Sequence, residues 1–168
     1  MTRHPMGEAM TMRLVGLAAL SPCRVLDLGA GDGDAVRLLR GLGFDALGLD
    51  RLPGADVLAG DLLAAPFPDA SFDALLSECA FFVCGDARAA MAEAARLLKS
   101  GGRLLLSDVC FGEAPAPAPG LRLIAAEDAT DAWRQYYIEC IWNGEAPALC
   151  AEIPKGACKY YLTVFEKE

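Results

Sequence analysis

The sequence predicts an α/β fold built on a mostly parallel, doubly wound sheet, and three patterns support this. Short apolar runs alternate with helical segments at the spacing of βα units. The apolar runs are continuous rather than alternating, as in strands that are covered on both faces. A glycine-rich segment, "VLDLGAGDGD" (25–34), contains the first such run and continues it into a loop. We therefore expect one sheet with helices on both sides.

The predicted elements follow in a regular order. A helix is expected from Glu8 to Leu20, because Met10, Leu14 and Leu17 recur at helical spacing. Seven strands are expected, at "RVLDLG", "DALGLD", "ADVLAGD", "SFDALLSECAFF", "RLLLSDVC", "LRLIAA" and "KYYLTVFEK". Three further helices are expected at "DAVRLLRGLG" with Asp34 as its N-cap, at "DARAAMAEAARLLKSGG" with Asp86 as its N-cap, and at "TDAWRQYYIECIWN". The Pro-Ala stretch "FGEAPAPAPG" and the segment "EAPALCAEIPKGA" show no periodicity and are expected to be irregular.

Composition limits the class of protein. The chain has 168 residues, 54% of them hydrophobic, which fits one domain with a sizeable core. Its formal charge of −8 argues against a nucleic-acid partner. No run of 18 apolar residues occurs, and the N-terminal segment does not resemble a signal peptide, so we expect no membrane association and a cytoplasmic location. The seven cysteines contain no CxxC pair, so free thiols and no metal site are expected.

The glycine loop points to a ligand without phosphate. Gly29, Gly31 and Gly33 form GxGxG, whereas a dinucleotide loop places its third glycine one position later, where Asp34 stands. Asp32 and Asp34 would oppose a pyrophosphate at the following helix N-terminus. A ligand with a cationic ammonium and a sulfonium fits better. S-adenosylmethionine has both, and it carries no phosphate.

Two acidic residues downstream fit the same ligand. Asp50 ends the second predicted strand, 21 residues after Gly29, where a carboxylate can accept hydrogen bonds from ribose hydroxyls. Asp61 ends the third, where an adenine amino group would lie, and Leu62 can offer its backbone N–H to the adenine ring.

From Arg24 to Asp108 the chain resembles the class I S-adenosylmethionine-dependent methyltransferases. Four segments follow the family pattern in order and spacing: "VLDLGAGDGD", "LGLD", "GDLLAAPFPDASFDALLSE" and "AARLLKSGGRLLLSD". The narrower likeness is to small bacterial enzymes of the UbiE and arsenite type, and a looser one is to methyltransferases found near selenium-handling genes. The resemblance implies a Rossmann-like, seven-stranded sheet of order 3-2-1-4-5-7-6, with strand seven antiparallel. It implies cofactor contacts at Asp27, Gly29, Ala30, Gly31, Asp50, Arg51, Asp61, Leu62 and Ser77.

The sequence departs from the family in one place. The family usually has a helix between strands five and six, which the Pro-Ala stretch cannot form. We expect the fold to be shortened there. We expect a single domain over 1–168: an N-terminal helical lid at 1–22, a cofactor-binding core at 23–110 and a C-terminal, acceptor-side region at 111–168.

The acceptor is expected beyond the carboxyl ends of strands four and five. The residues placed there are Ser77, Glu78, Cys79, Phe81, Phe82, Asp108, Cys110 and Phe111. Glu78 and Asp108 are the candidate catalytic bases or polar anchors. The alternatives are that Glu78 binds cofactor or caps a loop, and that Asp108 caps the strand turn.

Other residue types allow both a functional and a structural reading. Cys79, Cys84 and Cys110 would bind a soft element such as arsenic(III) if they converged, but separate thiols are the favoured reading. His4 is a candidate base on the N-terminal lid, or a surface residue. Trp133, Tyr136, Tyr137 and Trp142 are candidates for a ligand pocket, or for the core.

The predicted function is methyl transfer from S-adenosylmethionine to a small molecule. The alternative is an S-adenosylmethionine-binding protein without catalysis, such as a sensor or a partner subunit. A nicotinamide-dependent oxidoreductase is disfavoured because the GxGxxG loop is absent.

Overall fold

The computed structural model describes residues 7–112, 114–144 and 158–168. In these ranges the elements alternate as predicted: α1 (Glu8–Leu17), β1 (Arg24–Leu28), α2 (Asp34–Gly41), β2 (Asp45–Asp50), β3 (Leu58–Ala59), β4 (Phe72–Glu78), α3 (Ala87–Leu97), β5 (Leu98–Phe111), β6 (Leu121–Asp128), α4 (Thr130–Trp142) and β7 (Cys158–Lys167). Segment 145–157, predicted to be irregular, lies outside the described residues.

The predicted sheet is confirmed in its strand number and order. The described residues form a seven-stranded sheet of order β3-β2-β1-β4-β5-β7-β6. β1 pairs in parallel with β2 and β4, and β4 pairs in parallel with β5. β7 runs antiparallel to both β5 and β6. The strand order reverses beside β1, so the carboxyl ends of β1 and β4 flank the topological switch point, where open α/β sheets bind ligands.

Two apolar layers cover the sheet, and they differ in the number of helices. On one face, Met10 and Leu14 of α1, Val36 of α2 and Trp133 of α4 belong to one core cluster with sheet residues such as Leu76. On the other face, α3 packs through residues that include Ala90, Met91, Ala94 and Leu97. Within the described residues no helix joins β5 to β6, which confirms the predicted shortening. Among the described elements, α3 is therefore the single helix on this face of the sheet.

Several predicted boundaries differ from the structure. The predicted third strand is reduced to two residues, because β3 lies at the sheet edge and pairs with β2 alone. The first helix ends at Leu17 instead of Leu20. Asp86 caps α3 as predicted, accepting a hydrogen bond from the Ala89 N–H at 2.9 Å. Asp34 is not an N-cap: it is the first helical residue, after Gly33, and it pairs with Arg37.

None of the helices in the described part of the chain is long and apolar enough to cross a membrane.

Many of the charged surface residues form ion pairs. Arg96, for example, bonds Glu93 and Asp69 and the carbonyl groups of Phe67 and Ala65, so it fixes the segment before β4 to α3.

Candidate active site

The glycine loop forms a tight turn at the carboxyl end of β1. Gly29, Gly31 and Gly33 have φ of +85°, +51° and +79°, in the left-handed region where glycine is favoured. A Cβ on Gly29 would lie 2.3 Å from Cβ of Ala80, so the loop approaches the segment after β4 as closely as glycine allows. The N–H groups of Gly29 and Ala30 both donate to the Leu49 carbonyl, at 2.8 and 3.1 Å, which ties the loop to β2.

Asp50 connects the end of β2 to the glycine loop. Its Oδ2 accepts a 2.9 Å hydrogen bond from the Gly31 N–H, and its Oδ1 accepts a 2.8 Å bond from the Leu52 N–H. Each carboxylate oxygen has a second lone pair, so both still have acceptor capacity for a ligand. Asp50 therefore lies beside the glycine loop.

The turn after β3 completes this side of the site. Asp61 Oδ1 accepts a 2.9 Å hydrogen bond from the Leu63 N–H, which shapes the turn. Leu62 is buried and faces the glycine loop: the closest approach of its side chain to a Cβ placed on Gly29 would be 3.9 Å. Arg51 is exposed beside Asp50.

Buried carboxylates converge under the loop. Asp27 is 3% exposed at the end of β1, and burial, with the nearby charges of Glu78 and Asp50, raises its pKa well above the usual range. Burial raises the pKa of Glu78 to about 7, although a 3.0 Å hydrogen bond from the Thr11 hydroxyl opposes the shift. Repulsion among three carboxylates is relieved by a cation or by protonation.

The hydroxyl of Ser77 forms a hydrogen bond within the sheet. It is fully buried and donates a 2.9 Å hydrogen bond to the Leu28 carbonyl, which links β4 to β1. The side chain of Ser77 therefore positions the two strands that carry Asp27 and Glu78, the residues on either side of the switch point.

Asp108 accepts backbone hydrogen bonds from the segment after β4 and from its own strand end. Its Oδ2 accepts a 2.8 Å hydrogen bond from the Phe82 N–H, and its Oδ1 accepts one of 2.7 Å from the Val109 N–H. Burial raises its pKa to about 6, while these backbone donors and the Phe81 N–H act in the opposite direction. Through these two hydrogen bonds Asp108 holds the turn after β4 against the end of β5.

Six of the eight residues expected around the acceptor divide between two cavities, and Ser77 and Phe111 line neither. The first, of about 230 Å³, is lined by Gly29, Leu49, Asp50, Arg51, Leu52, Gly60, Leu62, Glu78, Cys79, Ala80, Val83 and Cys84. The second, of about 740 Å³, has Phe81, Phe82, Asp108 and Cys110 in its lining instead. Segment 79–85 separates the two. The first cavity holds the glycine loop and Asp50, so it is the candidate cofactor cleft.

The three cysteines do not form a soft-metal site. Cys79 Sγ lies 3.1 Å from the Tyr160 hydroxyl, and Cys84 Sγ donates to the Phe81 carbonyl at 3.0 Å. Cys110 lines the other cavity. Burial raises the pKa of Cys79, which disfavours the thiolate that metal binding requires. In the described ranges no group of three His, Cys, Asp or Glu residues could hold a metal ion.

The aromatic residues of α4 divide between core and surface. Trp133 is buried and stacks on Tyr160, with ring centroids 6.0 Å apart, so it belongs to the core. Trp142 is 86% exposed. The structure does not place these rings at the first cavity. His4 lies outside the described residues.

Thr11 is a site residue that sequence reasoning missed. It is buried on α1 and donates to Glu78 across 67 positions of chain. A signal was present: Thr11 lies between Met10 and Leu14 on the apolar side of α1, and a polar residue on such a face requires a partner.

Comparison with known proteins agrees with this geometry. A family model described as a methyltransferase domain matches residues 26–106, from β1 to β5. The chain is 39% identical over 120 residues to the demethylmenaquinone methyltransferase of Deinococcus radiodurans, covering 61% of this chain and 48% of the relative. It is 39% identical over 130 residues to the malonyl-[acyl-carrier protein] O-methyltransferase of Methylococcus capsulatus, covering 67% of this chain and 46% of the relative.

The fold is shared with solved structures. The crystal structure of the cyclase SpnF aligns with a TM-score of 0.73 at 20% identity, covering 95% of this chain and 80% of SpnF. The chain spans about half the length of the curated relatives it matches. The matched segment contains the glycine loop, Asp50, Asp61 and Glu78, and members of the matched family use S-adenosylmethionine as their cofactor. From its sequence motifs, its sheet order and these matches, the segment 26–106 is a methyltransferase domain of the class I S-adenosylmethionine-dependent family.

Proposed function

We propose that this chain binds S-adenosylmethionine in the first cavity and transfers its methyl group to a small molecule by in-line displacement. One observation carries the proposal: a glycine loop with left-handed φ angles adjoins a group of carboxylates in one cleft. The family relationship supports the class of reaction, while the acceptor is inferred from composition and site chemistry.

The side chains around the first cavity suit this cofactor. Asp27, Asp50 and Glu78 lie close enough for the charges of the other two to raise the pKa of Asp27. A pyrophosphate would add negative charge to this group, whereas an ammonium and a sulfonium would offset it. A Cβ on Gly29 would lie 2.3 Å from Cβ of Ala80, so glycine is needed where the loop passes the segment after β4.

Each proposed cofactor contact follows from its position. Asp50 would accept hydrogen bonds from the ribose hydroxyls through lone pairs that the Gly31 and Leu52 N–H groups leave free. Asp61 and Leu62 would face the adenine. Arg51 lies beside Asp50 in the lining of the cleft.

Two further predicted contacts concern the amino-acid end of the cofactor. The backbone of 29–31 would lie against it, with Asp27 beneath, and Ala30 takes part through this backbone. Ser77 would act indirectly, since its hydroxyl bonds the Leu28 carbonyl and thereby holds β1 beside β4.

Bound S-adenosylmethionine supplies an electrophilic methyl group on a sulfonium sulfur, so the chain needs mainly to orient the reactants and exclude water. We propose Glu78 as the residue that accepts a proton from an acceptor that arrives protonated. Its pKa of about 7 is close to the value at which a general base is effective near neutral pH.

We propose that the other predicted catalytic residue, Asp108, acts by position. Its carboxylate holds the Phe82 N–H and so fixes segment 79–85, which forms part of the cofactor cleft. This role differs from that of a proton acceptor, because the oxygens are already bonded to backbone donors.

The surrounding regions are assigned as part of the same proposal. Residues 1–22 act as a lid, because α1 reaches the cleft through Thr11 and Glu78. Residues 111–168 form the acceptor side of a single domain. The six described cysteines are free, which supports a reducing, cytoplasmic location. The charge of −8 supports a small-molecule partner over a nucleic acid.

Calorimetry tests the cofactor site. We expect the wild type to bind S-adenosylmethionine and S-adenosylhomocysteine, and Asp50→Ala to weaken both by roughly 10- to 100-fold, since hydrogen bonds to a charged group are lost. Asp45→Ala is the matched control, because Asp45 begins the strand that Asp50 ends. Absence of binding to the wild type would overturn the proposal.

Turnover separates catalysis from binding alone. The intact protein is incubated with S-adenosylmethionine and a panel of quinols, carboxylic acids, thiols and arsenite, and S-adenosylhomocysteine formation is measured. Product formation that depends on one acceptor, and that Glu78→Gln reduces, supports the enzyme. Tight cofactor binding without turnover on any of these compounds would favour a sensor or a partner subunit.

A further inference from the structure

The second cavity is larger than the proposed cofactor cleft and lies on the α3 face of the sheet. Its volume is about 740 Å³, within the roughly 300 to 1,000 Å³ of small-molecule sites. It is bounded by the first half of α3, the end of β5 and the Pro-Ala segment. Phe82 and Phe111 pack together at 6.0 Å between ring centroids beside it.

The cavity lies where the described residues have no helix between β5 and β6. Pro115, Pro117 and Pro119 line it in place of a helix, and Ala118 packs on the core cluster of the α3 face. Proline has no N–H and a fixed φ, so this wall is apolar and loses little conformational entropy when a ligand binds. The space between α3 and the segment thus has a preorganised apolar lining.

One unpaired cation stands at this cavity. Among the described arginines, only Arg51 and Arg88 form neither an ion pair nor a hydrogen bond through the guanidinium with another residue, and each lines one of the two cavities. Asp108 also lines the second cavity, but its two oxygens accept hydrogen bonds from the Phe82 and Val109 N–H groups. Arg88 is therefore the group available to an incoming charge.

We propose that this second cavity is a binding site for a small apolar molecule that carries one anionic group, a carboxylate or a phosphate. The apolar body lies between Met91, Leu106 and the proline wall, and the anion meets Arg88 at the rim. The site is separate from the cofactor cleft, because segment 79–85 turns Ala80 and Val83 to one cavity and Phe81 and Phe82 to the other. It does not depend on methyl transfer.

Two matched probes test the proposal by calorimetry on the full chain: 2-naphthoate, and the neutral 2-naphthalenemethanol. We expect both to bind, with naphthoate about 2- to 5-fold tighter, as an exposed charge pair provides. Arg88→Gln should remove that preference. Arg134→Gln, at an exposed arginine on α4, should leave it unchanged.

A cavity-filling variant tests the location. Ala92 is exposed and lines the cavity, so Ala92→Trp should occupy part of it without disturbing the core and weaken both probes about tenfold. Ala9→Trp, at an exposed position of α1, is the control. S-adenosylhomocysteine affinity and the melting temperature, measured on the same proteins, report whether the fold and the proposed cofactor site are intact.

Three results would overturn the proposal. They are no binding of either probe to the wild type at millimolar concentration, unchanged binding to Ala92→Trp, and displacement of the probe by S-adenosylhomocysteine. Because probe binding is measured without cofactor, its failure is distinguishable from failure of the proposed methyltransferase activity.

Discussion

The hydroxyl of Thr11 donates a 3.0 Å hydrogen bond to Oε2 of Glu78. This bond joins the N-terminal helix to the carboxyl end of β4, beside the glycine loop. Thr11 is buried, and Glu78 lines the cofactor cleft. A movement of α1 would therefore change the environment of a carboxylate at the centre of the site.

The first prediction concerns Glu78 and pH. Burial raises its folded-state pKa to about 7 from an ordinary value of 4.5. Between these two pH values the folded chain retains a proton that the unfolded chain has released, so the free energy of unfolding falls as pH rises through this window. Glu78→Gln cannot titrate. We expect its stability relative to wild type to increase by about 1 to 3 kcal/mol from pH 4.5 to pH 7.

Denaturant unfolding at pH 3, 4.5, 6 and 7.5 measures this difference, and the lowest pH is needed for the control. Glu93→Gln is a control of opposite sign, because hydrogen bonds from Arg96 lower the pKa of Glu93. The stability that Glu93 contributes is present above its unfolded pKa and is lost as pH falls. Parallel stability curves for wild type and Glu78→Gln would contradict the prediction.

Thr11→Val should shift the titration of Glu78 to higher pH, because the hydrogen bond from Thr11 lowers the pKa of Glu78.

The second prediction concerns the glycine loop. At Gly29, φ is +85° and an added Cβ would lie 2.3 Å from Cβ of Ala80. We expect Gly29→Ala to lower the free energy of unfolding by about 1 to 3 kcal/mol and to weaken S-adenosylhomocysteine binding, through backbone strain and displacement of segment 79–85.

Gly41→Ala is the matched control for this variant. Gly41 ends α2 without a positive φ, and a Cβ there would meet nothing within 4 Å. Alanine should therefore be neutral, or stabilising by up to about 1 kcal/mol, through its higher helix propensity. Thermal melting and calorimetry compare the two variants, and equal effects would refute the assigned role of Gly29.

The third prediction separates positioning from proton transfer at Asp108. Asp108→Ala leaves the Phe82 N–H without its acceptor, and we expect a loss of about 1 to 3 kcal/mol with faster hydrogen exchange at Phe82. Asp108→Asn keeps one oxygen acceptor. It should preserve protection at Phe82 and most of any methyl-transfer rate. If Asp108→Asn lost activity as completely as Asp108→Ala, while keeping that protection, Asp108 would be a proton acceptor and the positioning role would be wrong.

The sequence by itself determined the order of elements, the sheet topology through its family pattern, and the glycine loop with Asp50 beside it. These features depend on residues near one another in the chain, or on strand ends that a parallel sheet brings to one edge. The Asp86 cap of α3 was readable for the same reason, since donor and acceptor are three residues apart.

Only the tertiary structure decided which distant groups meet. Asp108 and Phe82, 26 residues apart, meet because the segment after β4 folds back so that the Phe82 N–H donates to the Asp108 carboxylate. Cys79, Cys84 and Cys110 are separate thiols, the favoured reading of the sequence, because Cys110 lies on the other side of that segment from the other two. Thr11 and Glu78 meet because α1 packs across the sheet. Contacts of this kind depend on loop conformation and helix packing, which no local pattern of residues encodes.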